Sequence, residues 1–505
     1  MRQYEANKRI STGLETLDEI LHGGLPAGEL YTVNGTPGTG KTTLALHCLQ
    51  AGASKGEKVL CLALAQRVES LKHTCQSVGI DTSNITFFDL STAEAIQAAT
   101  ERQTIFDTSE IELVDLMDVV MAKIDAEQPS RLVFDGVAQL RMLANDLLTY
   151  RQKLFKLRDY TVDKGITTIL TDSPDVTSGE QELQAIANGV ITLSLETTEH
   201  GSDHRYLRLS KMRGSSFEPG MHDFEITDEG IQLYRSHRHS EGRKLANVDS
   251  LKIGDVQRFS SGLSTLDKLV GGGLNAGTTC LMLGPSGTGK TSIATLFARQ
   301  FTEEGGKASI FLFDESIETF LRRSKGLGMD LSDAIKGDRL RIHELSFGNI
   351  TPGKFSTLID RDVEKWGAKI VAIDTLTGYL NAMPTKARLI SQMHEIMKRL
   401  SQRGILTFLM VAQHGAIGLR MDTAVDISYL ADTVLLFRHF EAKGEIRHAL
   451  SVYKNRYGMH EKQICEIKLQ PGSILIDEAL GQFSGILSGL PRYITDANSP
   501  QDSAN

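Results

Sequence analysis

Two octapeptides in this chain have the composition of a phosphate cradle. Gly35-Thr36-Pro37-Gly38-Thr39-Gly40-Lys41-Thr42 and Gly284-Pro285-Ser286-Gly287-Thr288-Gly289-Lys290-Thr291 both obey G-x-x-x-x-G-K-[ST], and Thr43 and Ser292 extend the two segments. Glycines at this spacing let successive backbone N–H groups turn inward around phosphate oxygens. The lysine places a point charge near the outer phosphates, and the threonine hydroxyl is a ligand for Mg²⁺. A nucleoside triphosphate with its Mg²⁺ is the ligand that fits. Hydrolysis requires more: a carboxylate to organise the metal and a group to polarise the attacking water. Asp135 closes the apolar run Leu132-Val133-Phe134, and Asp374 closes Ile370-Val371-Ala372-Ile373. An aspartate at the end of such a strand, downstream of a P-loop, suits the metal role better than the N-cap of a following helix.

The water-polarising role separates the two halves. Asp314 and Glu315 follow the run Ser309-Ile-Phe-Leu-Phe313, beyond a strand end where ligands of doubly wound sheets bind. Adjacent carboxylates there can orient a water and take its proton. The same offset in the first half gives Ala65 and Gln66, with Glu69 one helical turn on. Alanine cannot act as a base, and glutamine orients water without accepting its proton. The first half is therefore expected to be impaired in hydrolysis and the second equipped for it.

A basic pair recurs near the end of each half: Lys211 with Arg213, and Lys454 with Arg456. Residues spaced i, i+2 on a strand share one face, and such a pair could touch a γ-phosphate. Each lies more than 150 residues from its own P-loop lysine. It could act within the chain or across a subunit boundary as an arginine finger does; exposed strand charges are the structural alternative.

The elements that position these groups follow from an internal repeat. Lys41 and Lys290 stand 249 residues apart, and the preceding segments align without a gap. Arg9-Ile-Ser-Thr-Gly13-Leu-Glu-Thr-Leu-Asp18 faces Arg258-Phe-Ser-Ser-Gly262-Leu-Ser-Thr-Leu-Asp267, and Gly23-Gly24-Leu25 faces Gly272-Gly273-Leu274. That period is far beyond the roughly 20–50 residues of solenoids, so it marks a duplicated domain large enough for its own core. The expected division is a first domain over 1–240, a linker over 241–257, a second domain over 258–486 and a short tail over 487–505. Each P-loop follows an apolar run, Leu30–Val33 or Thr279–Leu283, and opens a helical one. Further apolar runs (Val59–Leu64, Arg131–Phe134, Thr167–Leu170, Ser309–Phe313, Ile370–Ile373, Leu406–Val411) alternate with helical stretches. The fold class is α/β, with two tandem P-loop domains, each a mainly parallel sheet flanked by helices.

Composition narrows the class. The chain is 40% hydrophobic and 23% charged, ordinary for a globular protein. No apolar run approaches the ~20 residues needed to span a bilayer, and the first nine residues are too polar for a signal peptide. Five cysteines without Cys-x-x-Cys spacing are expected to be reduced, mostly buried thiols of a cytoplasmic protein, without a zinc site. A net charge of −8 argues against a general nucleic-acid surface, though not against a local basic channel. The histidine-rich segment Arg235–Lys244 is expected to be a solvated connector rather than a metal or anion site, and Thr495–Asn505 a disordered end.

The set Gly-Leu-x-x-Leu-Asp, Gly-Gly-Leu, P-loop, then strand with acidic pair resembles the RecA-like ATPases. Two such domains in one chain resemble the KaiC family of circadian-clock ATPases and autokinases, from about Arg9 to Ile494. The resemblance implies ATP and Mg²⁺ as ligands and a double-ring homo-hexamer with ATP between neighbours. It also implies that Lys211, Arg213, Lys454 and Arg456 reach the adjacent subunit's nucleotide. In the family the first domain has paired glutamates where Ala65-Gln66 stands here, and the second carries adjacent Ser-Thr phosphoacceptors. The corresponding segment here is Asp426-Ile-Ser428-Tyr429-Leu-Ala-Asp-Thr433, which keeps Ser428 as acceptor and offers Tyr429 as a weaker one. Further implications are a KaiB-like partner and a clock-like or stress-related timing role, while the short tail argues against a KaiA-like partner. The competing classes are a RadA- or DnaB-like DNA-dependent ATPase and a non-catalytic scaffold stabilised by ATP. The former family normally adds a zinc, helix-hairpin or protease-like module to a single ATPase domain, and none is visible in the sequence.

Overall fold

The computed structural model describes residues 8–90, 108–142, 147–173, 180–197, 203–236, 257–346, 350–381, 386–413, 428–488 and 491–494. The chain divides near Arg238 into two compact units, each built on its own nine-stranded sheet. In the first unit the strands are β1 (Leu30–Asn34), β2 (Val59–Ala63), β3 (Thr86–Asp89), β4 (Arg131–Asp135), β5 (Thr167–Asp172), β6 (Gly189–Glu196), β7 (His204–Met212), β8 (His222–Thr227) and β9 (Gly230–Tyr234). They lie in the order β9-β8-β7-β6-β1-β5-β4-β2-β3. The second unit has β10 (Thr279–Gly284), β11 (Ala308–Leu312), β12 (Leu340–Glu344), β13 (Ile370–Asp374), β14 (Leu406–Ala412), β15 (Thr433–Ala442), β16 (Glu445–Asn455), β17 (Ile464–Gln470) and β18 (Ser473–Ala479). Their order, β18-β17-β16-β15-β10-β14-β13-β11-β12, is the same permutation.

Strands β1 to β6 pair in parallel, as do β10 to β15. The central strands of this part are buried along their length, which requires cover on both faces. Alternation along the strands divides the core accordingly. Tyr31, Val33, Cys61 and Val133 enter one apolar cluster, while Leu30, Leu60, Leu132 and Phe134 enter the other. In the second unit Cys280, Ile310 and Ala372 face one way, and Leu281, Phe311 and Val371 the other. The remaining three strands of each unit add antiparallel, β7 to β9 and β16 to β18. They form an edge that the apolar runs of the sequence did not announce. Among the described residues no helix is long and apolar enough to cross a membrane.

All five cysteines are free and buried. Burial pushes the thiols of Cys48 and Cys75 up to about 11 and raises those of Cys61, Cys280 and Cys465 as well.

The repeated Leu-Asp and Gly-Gly-Leu signatures are a structural corner. Asp18 Oδ1 accepts from Thr12 N (2.8 Å) and Thr12 Oγ1 (2.7 Å), and its Oδ2 from Ser11 Oγ (2.6 Å). Asp267 repeats this with Ser261 N (2.8 Å), Ser261 Oγ (2.7 Å) and Ser260 Oγ (2.5 Å). The chain then turns through glycines with left-handed backbone. At Gly24 (φ 96°) a Cβ would lie 2.2 Å from the Ile10 carbonyl oxygen, so only glycine admits the ladder between Ile10 and Leu25.

Hydrogen bonds to a charged acceptor contribute about 1.5–3 kcal/mol each before allowance for exposure. Asp267→Ala, which removes three of them from a partly buried carboxylate, is expected to destabilise the second unit by about 2–3 kcal/mol. Asp267→Asn should recover part of the loss. Denaturant titration followed by a probe in that unit measures the difference.

Candidate active sites

Each P-loop leaves the C-terminal end of a sheet's central strand and opens a helix, α1 (Lys41–Ala53) after β1 and α3 (Lys290–Glu303) after β10; α2 (Val68–Ser77) and α4 (Ile317–Gly326) follow β2 and β11. The residue before α1 is Gly40 at φ 96°, ψ 19°, and the one before α3 is Gly289 at φ 96°, ψ 9°. Neither helix start has a side-chain cap or an acidic residue in its first turn. Its N–H groups and the positive end of the helix dipole are left for an anion.

Both lysines fold back on their own loops. Lys41 Nζ donates to Gly35 O (2.7 Å) and Thr36 O (3.0 Å), and Lys290 Nζ to Gly284 O (2.8 Å) and Pro285 O (2.6 Å). Thr39 Oγ1 and Thr288 Oγ1 tighten each loop by donating to Thr36 O and Pro285 O. Burial lowers both ammonium groups, Lys290 to about 8, with Asp374 opposing the shift. A buried cation whose partners are neutral carbonyls is a strong attractor for phosphate.

The strand-end aspartates meet the last P-loop residue. Thr42 Oγ1 donates to Asp135 Oδ1 at 2.9 Å, and Thr171 Oγ1 on β5 donates to the same oxygen at 2.7 Å. Thr291 Oγ1 donates to Asp374 Oδ2 at 2.6 Å. Burial raises the Asp374 carboxyl, with Thr291, Arg323 and Lys290 pulling it down.

Among the described residues, only the second unit brings an acidic pair to this place. Asp314 Oδ2 accepts from Thr375 Oγ1 at 2.5 Å, and Glu315 Oε1 accepts from Arg323 Nη2 at 2.6 Å. Burial raises the Glu315 carboxyl, and Arg323 opposes it. Lys290, Thr291, Asp374, Asp314, Glu315 and Arg323 all line one cavity of about 640 Å³. Its far wall comes from Leu327 at the end of α4 and Leu469-Gln470-Pro471 at the β17–β18 turn. In the first unit the corresponding corner is closed by small residues: a Cβ on Gly136 (φ 92°) would lie 2.5 Å from Ala65 Cβ. Thr375, Arg323 and the β17–β18 turn were not among the residues singled out from the sequence. Arg323 sits in a helix whose charge pattern reads as a solvated face, and the turn belongs to antiparallel strands that sequence periodicity missed.

The basic pairs lie elsewhere. In each unit a β-bulge precedes the lysine: Ser210 is the extra residue between β6 and β7, and Tyr453 between β15 and β16. A bulge re-aims the side chains beside it. Lys211 Nζ donates to Gln184 O (2.6 Å), and Arg213 Nη2 to Ala185 O (2.9 Å). Lys454 Nζ donates to Ala431 O (2.8 Å), and Arg456 forms an ion pair with Asp432 (3.6 Å). Sheet register places both pairs far from their own P-loops. Arg213 N bonds to Asn188 O, whose own N–H bonds to Leu30 O at the start of β1, and Arg456 reaches Thr279 at the start of β10 through Asp432 in the same way. At ~3.3 Å per residue that is about 15 Å back along the sheet from the phosphate cradle. Ser428 begins a single 3₁₀ turn, Ser428–Leu430, and Tyr429 is 51% exposed. The segment before it, Asp426-Ile427, lies outside the described residues, as does most of the expected connector and all of Thr495–Asn505.

Comparison with known proteins agrees over nearly the whole chain. A family described as "ATPase: KaiC" matches residues 10–238 and again 259–480. The circadian clock oscillator protein KaiC of Acaryochloris marina is 25% identical over 98% of this chain and 95% of its own length. Its namesake in Synechococcus elongatus is 25% identical over 98% and 93%, and that of Prochlorococcus marinus 24% over 97% and 96%. The duplicated sheets, the paired phosphate cradles and this two-part match together make the chain a member of the KaiC family, an ATPase with two tandem domains.

Proposed function

We propose that this protein is a cytoplasmic, ATP-dependent hexamer that hydrolyses ATP mainly in its second domain and phosphorylates itself on Ser428. The observation that carries the reading is the convergence of Lys290, Thr291, Asp374, Asp314 and Glu315 on one cavity. The P-loop N–H groups and Lys290 bind and orient the triphosphate. Thr291 and Asp374, a hydroxyl and a carboxylate joined by a 2.6 Å hydrogen bond, would hold Mg²⁺ through the oxygen donors it prefers. In the first domain Asp135 keeps one buried carboxylate oxygen, Oδ2, without a hydrogen-bond partner among the described residues, as an ion ligand would. The ion would neutralise charge on the phosphates. Glu315 then takes a proton from water as the water oxygen bonds to the γ-phosphorus. The bond from that phosphorus to the bridging oxygen breaks, and ADP leaves with the electron pair.

The first domain would bind ATP as a structural ligand, because its cradle is intact while Ala65 and Gln66 supply no base. The hexamer is supported by the basic pairs, which sit about 15 Å behind their own cradles and would therefore serve a neighbour's nucleotide. The relatives are named as clock oscillator proteins, and for this chain we read a timing or stress-signalling role with a KaiB-like partner. Autophosphorylation would transfer the γ-phosphoryl group to Ser428 Oγ, with Glu315 taking the hydroxyl proton. Tyr429 is the weaker acceptor, because its phenol projects further from the backbone.

Loss of a general base typically costs about 10²–10⁴-fold. Glu315→Gln is thus expected to remove most ATP turnover, whereas Gln66→Ala should change it little. Abolition of turnover by Lys41→Ala with full activity in Lys290→Ala would reverse the assignment.

Native mass spectrometry with and without Mg·ATP should show a hexamer that requires nucleotide; a monomer at saturating Mg·ATP contradicts the ring. Phosphosite mapping should place label on Ser428, and phosphate incorporation that is unaltered in Ser428→Ala rules this acceptor out.

A further inference from the structure

We propose that Arg323 is a positioning residue for hydrolysis in the second domain, orienting Glu315 through a single hydrogen bond and fixing which carboxylate oxygen faces the water. The inference rests on the reading of Glu315 as the water-activating base. Side chains on a helix lean toward its N-terminus. Arg323, two turns into α4, thereby reaches back to Glu315, which stands just before the helix begins. The contact is Nη2 to Oε1 at 2.6 Å, and it leaves the other carboxylate oxygen available to accept a proton.

Both ends of this pair are anchored. The start of α4 is held by Ser316, whose hydroxyl accepts from Thr319 N (3.3 Å), and by Glu344 at the end of β12, which accepts from Ile317 N (3.0 Å). The guanidinium lies 5.7 Å from the ring centroid of Phe320, a fully buried side chain. Arg323 is therefore held by the helix and the core before any ligand arrives. Asp314 is tied separately to Thr375, so the two adjacent carboxylates have different anchors and different orientations.

Two comparisons inside the molecule set Arg323 apart from an ordinary surface charge. Arg322, its neighbour on the same helix, pairs with Glu318 at 2.6 Å, but both side chains are about four-fifths exposed and neither lines the cavity. In the first domain the positions that match Glu315 and Arg323 are Gln66 and Thr74, and Thr74 turns its hydroxyl onto Ser70 O of its own helix (3.0 Å). The arginine is present where the carboxylate is and missing where it is not. It is also the cation that offsets burial and the charges of Asp374 and Asp314 at Glu315.

The test uses the full chain in four variants: Arg323→Gln, Arg323→Lys, Arg322→Gln and Glu315→Gln. Steady-state ATP turnover is measured across pH, together with binding of a fluorescent ATP analogue and thermal unfolding. Arg323→Gln should lower kcat about 10–100-fold, the range seen when a partner that orients an active-site ligand is lost, with little change in KM or in analogue binding. A base must be ionised to act, and without Arg323 the Glu315 carboxyl rises further. The acid limb of the kcat profile should therefore move to higher pH. Arg323→Lys should restore part of kcat and return the limb toward its original position, and Arg322→Gln should match the wild type. Unchanged kcat and an unmoved limb in Arg323→Gln would overturn the inference, as would faster turnover. A loss that is uniform across pH and tracks a lower unfolding temperature would overturn it too, by assigning Arg323 a purely structural part. Turnover that survives in Glu315→Gln would instead refute the base assignment beneath it.

Discussion

A hydroxyl–carboxylate bond across the sheet is the constraint on which each unit is arranged. Thr42 and Thr291 follow the central strand of their sheets, Asp135 and Asp374 end a strand two places away, and β5 or β14 runs between. The bond closes only if three strands run parallel and end at the same level, and parallel neighbours need crossover connections. The covering helices, the continuously buried strands and the two-faced core all follow from that geometry. Reversing one strand would carry its terminal aspartate to the far end of the sheet.

With the frame held in common, the halves differ in what stands just beyond β2 and β11. Ala65 against Gly136 makes a tight, neutral corner, whereas Asp314 with Thr375 and Glu315 with Arg323 make a charged, open one. Duplication has left the cradle alone and altered the residues that would decide what happens to its contents. The same corner costs little to pack with alanine and glycine, and much to fill with carboxylates unless each has a donor. That explains why the acidic version comes with Thr375 and Arg323 at hand.

Much of this was legible in the residues. The P-loops, the repeat and the apolar central strands follow from glycine spacing and from strands buried on both faces, where side-chain chemistry leaves few alternatives. The antiparallel edge was not legible, because half-exposed strands such as β7 and β16 mix apolar, charged and hydroxyl side chains without strict alternation. The β-bulges at Ser210 and Tyr453 add one residue and shift the phase again. The partners at the cavity were hidden for another reason. Arg323 and Glu315 are eight residues apart with a helix start between them, and only the lean of the side chain brings them together. The place of the basic pairs was hidden too, because only the register of β7 and β16 puts them at the end of the sheet away from their own cradles.

The five buried thiols give the protein an internal record of its own opening. A thiolate is the reactive form, and burial both hides these sulfurs and holds them protonated. A maleimide added to the native chain would therefore find nothing to alkylate until a strand or helix parts from its neighbours. Cys48, Cys61 and Cys75 mark such excursions in the first half, and Cys280 and Cys465 in the second. Peptide-resolved labelling would thus time the breathing of each half separately, and would show whether nucleotide quiets one cradle before the other.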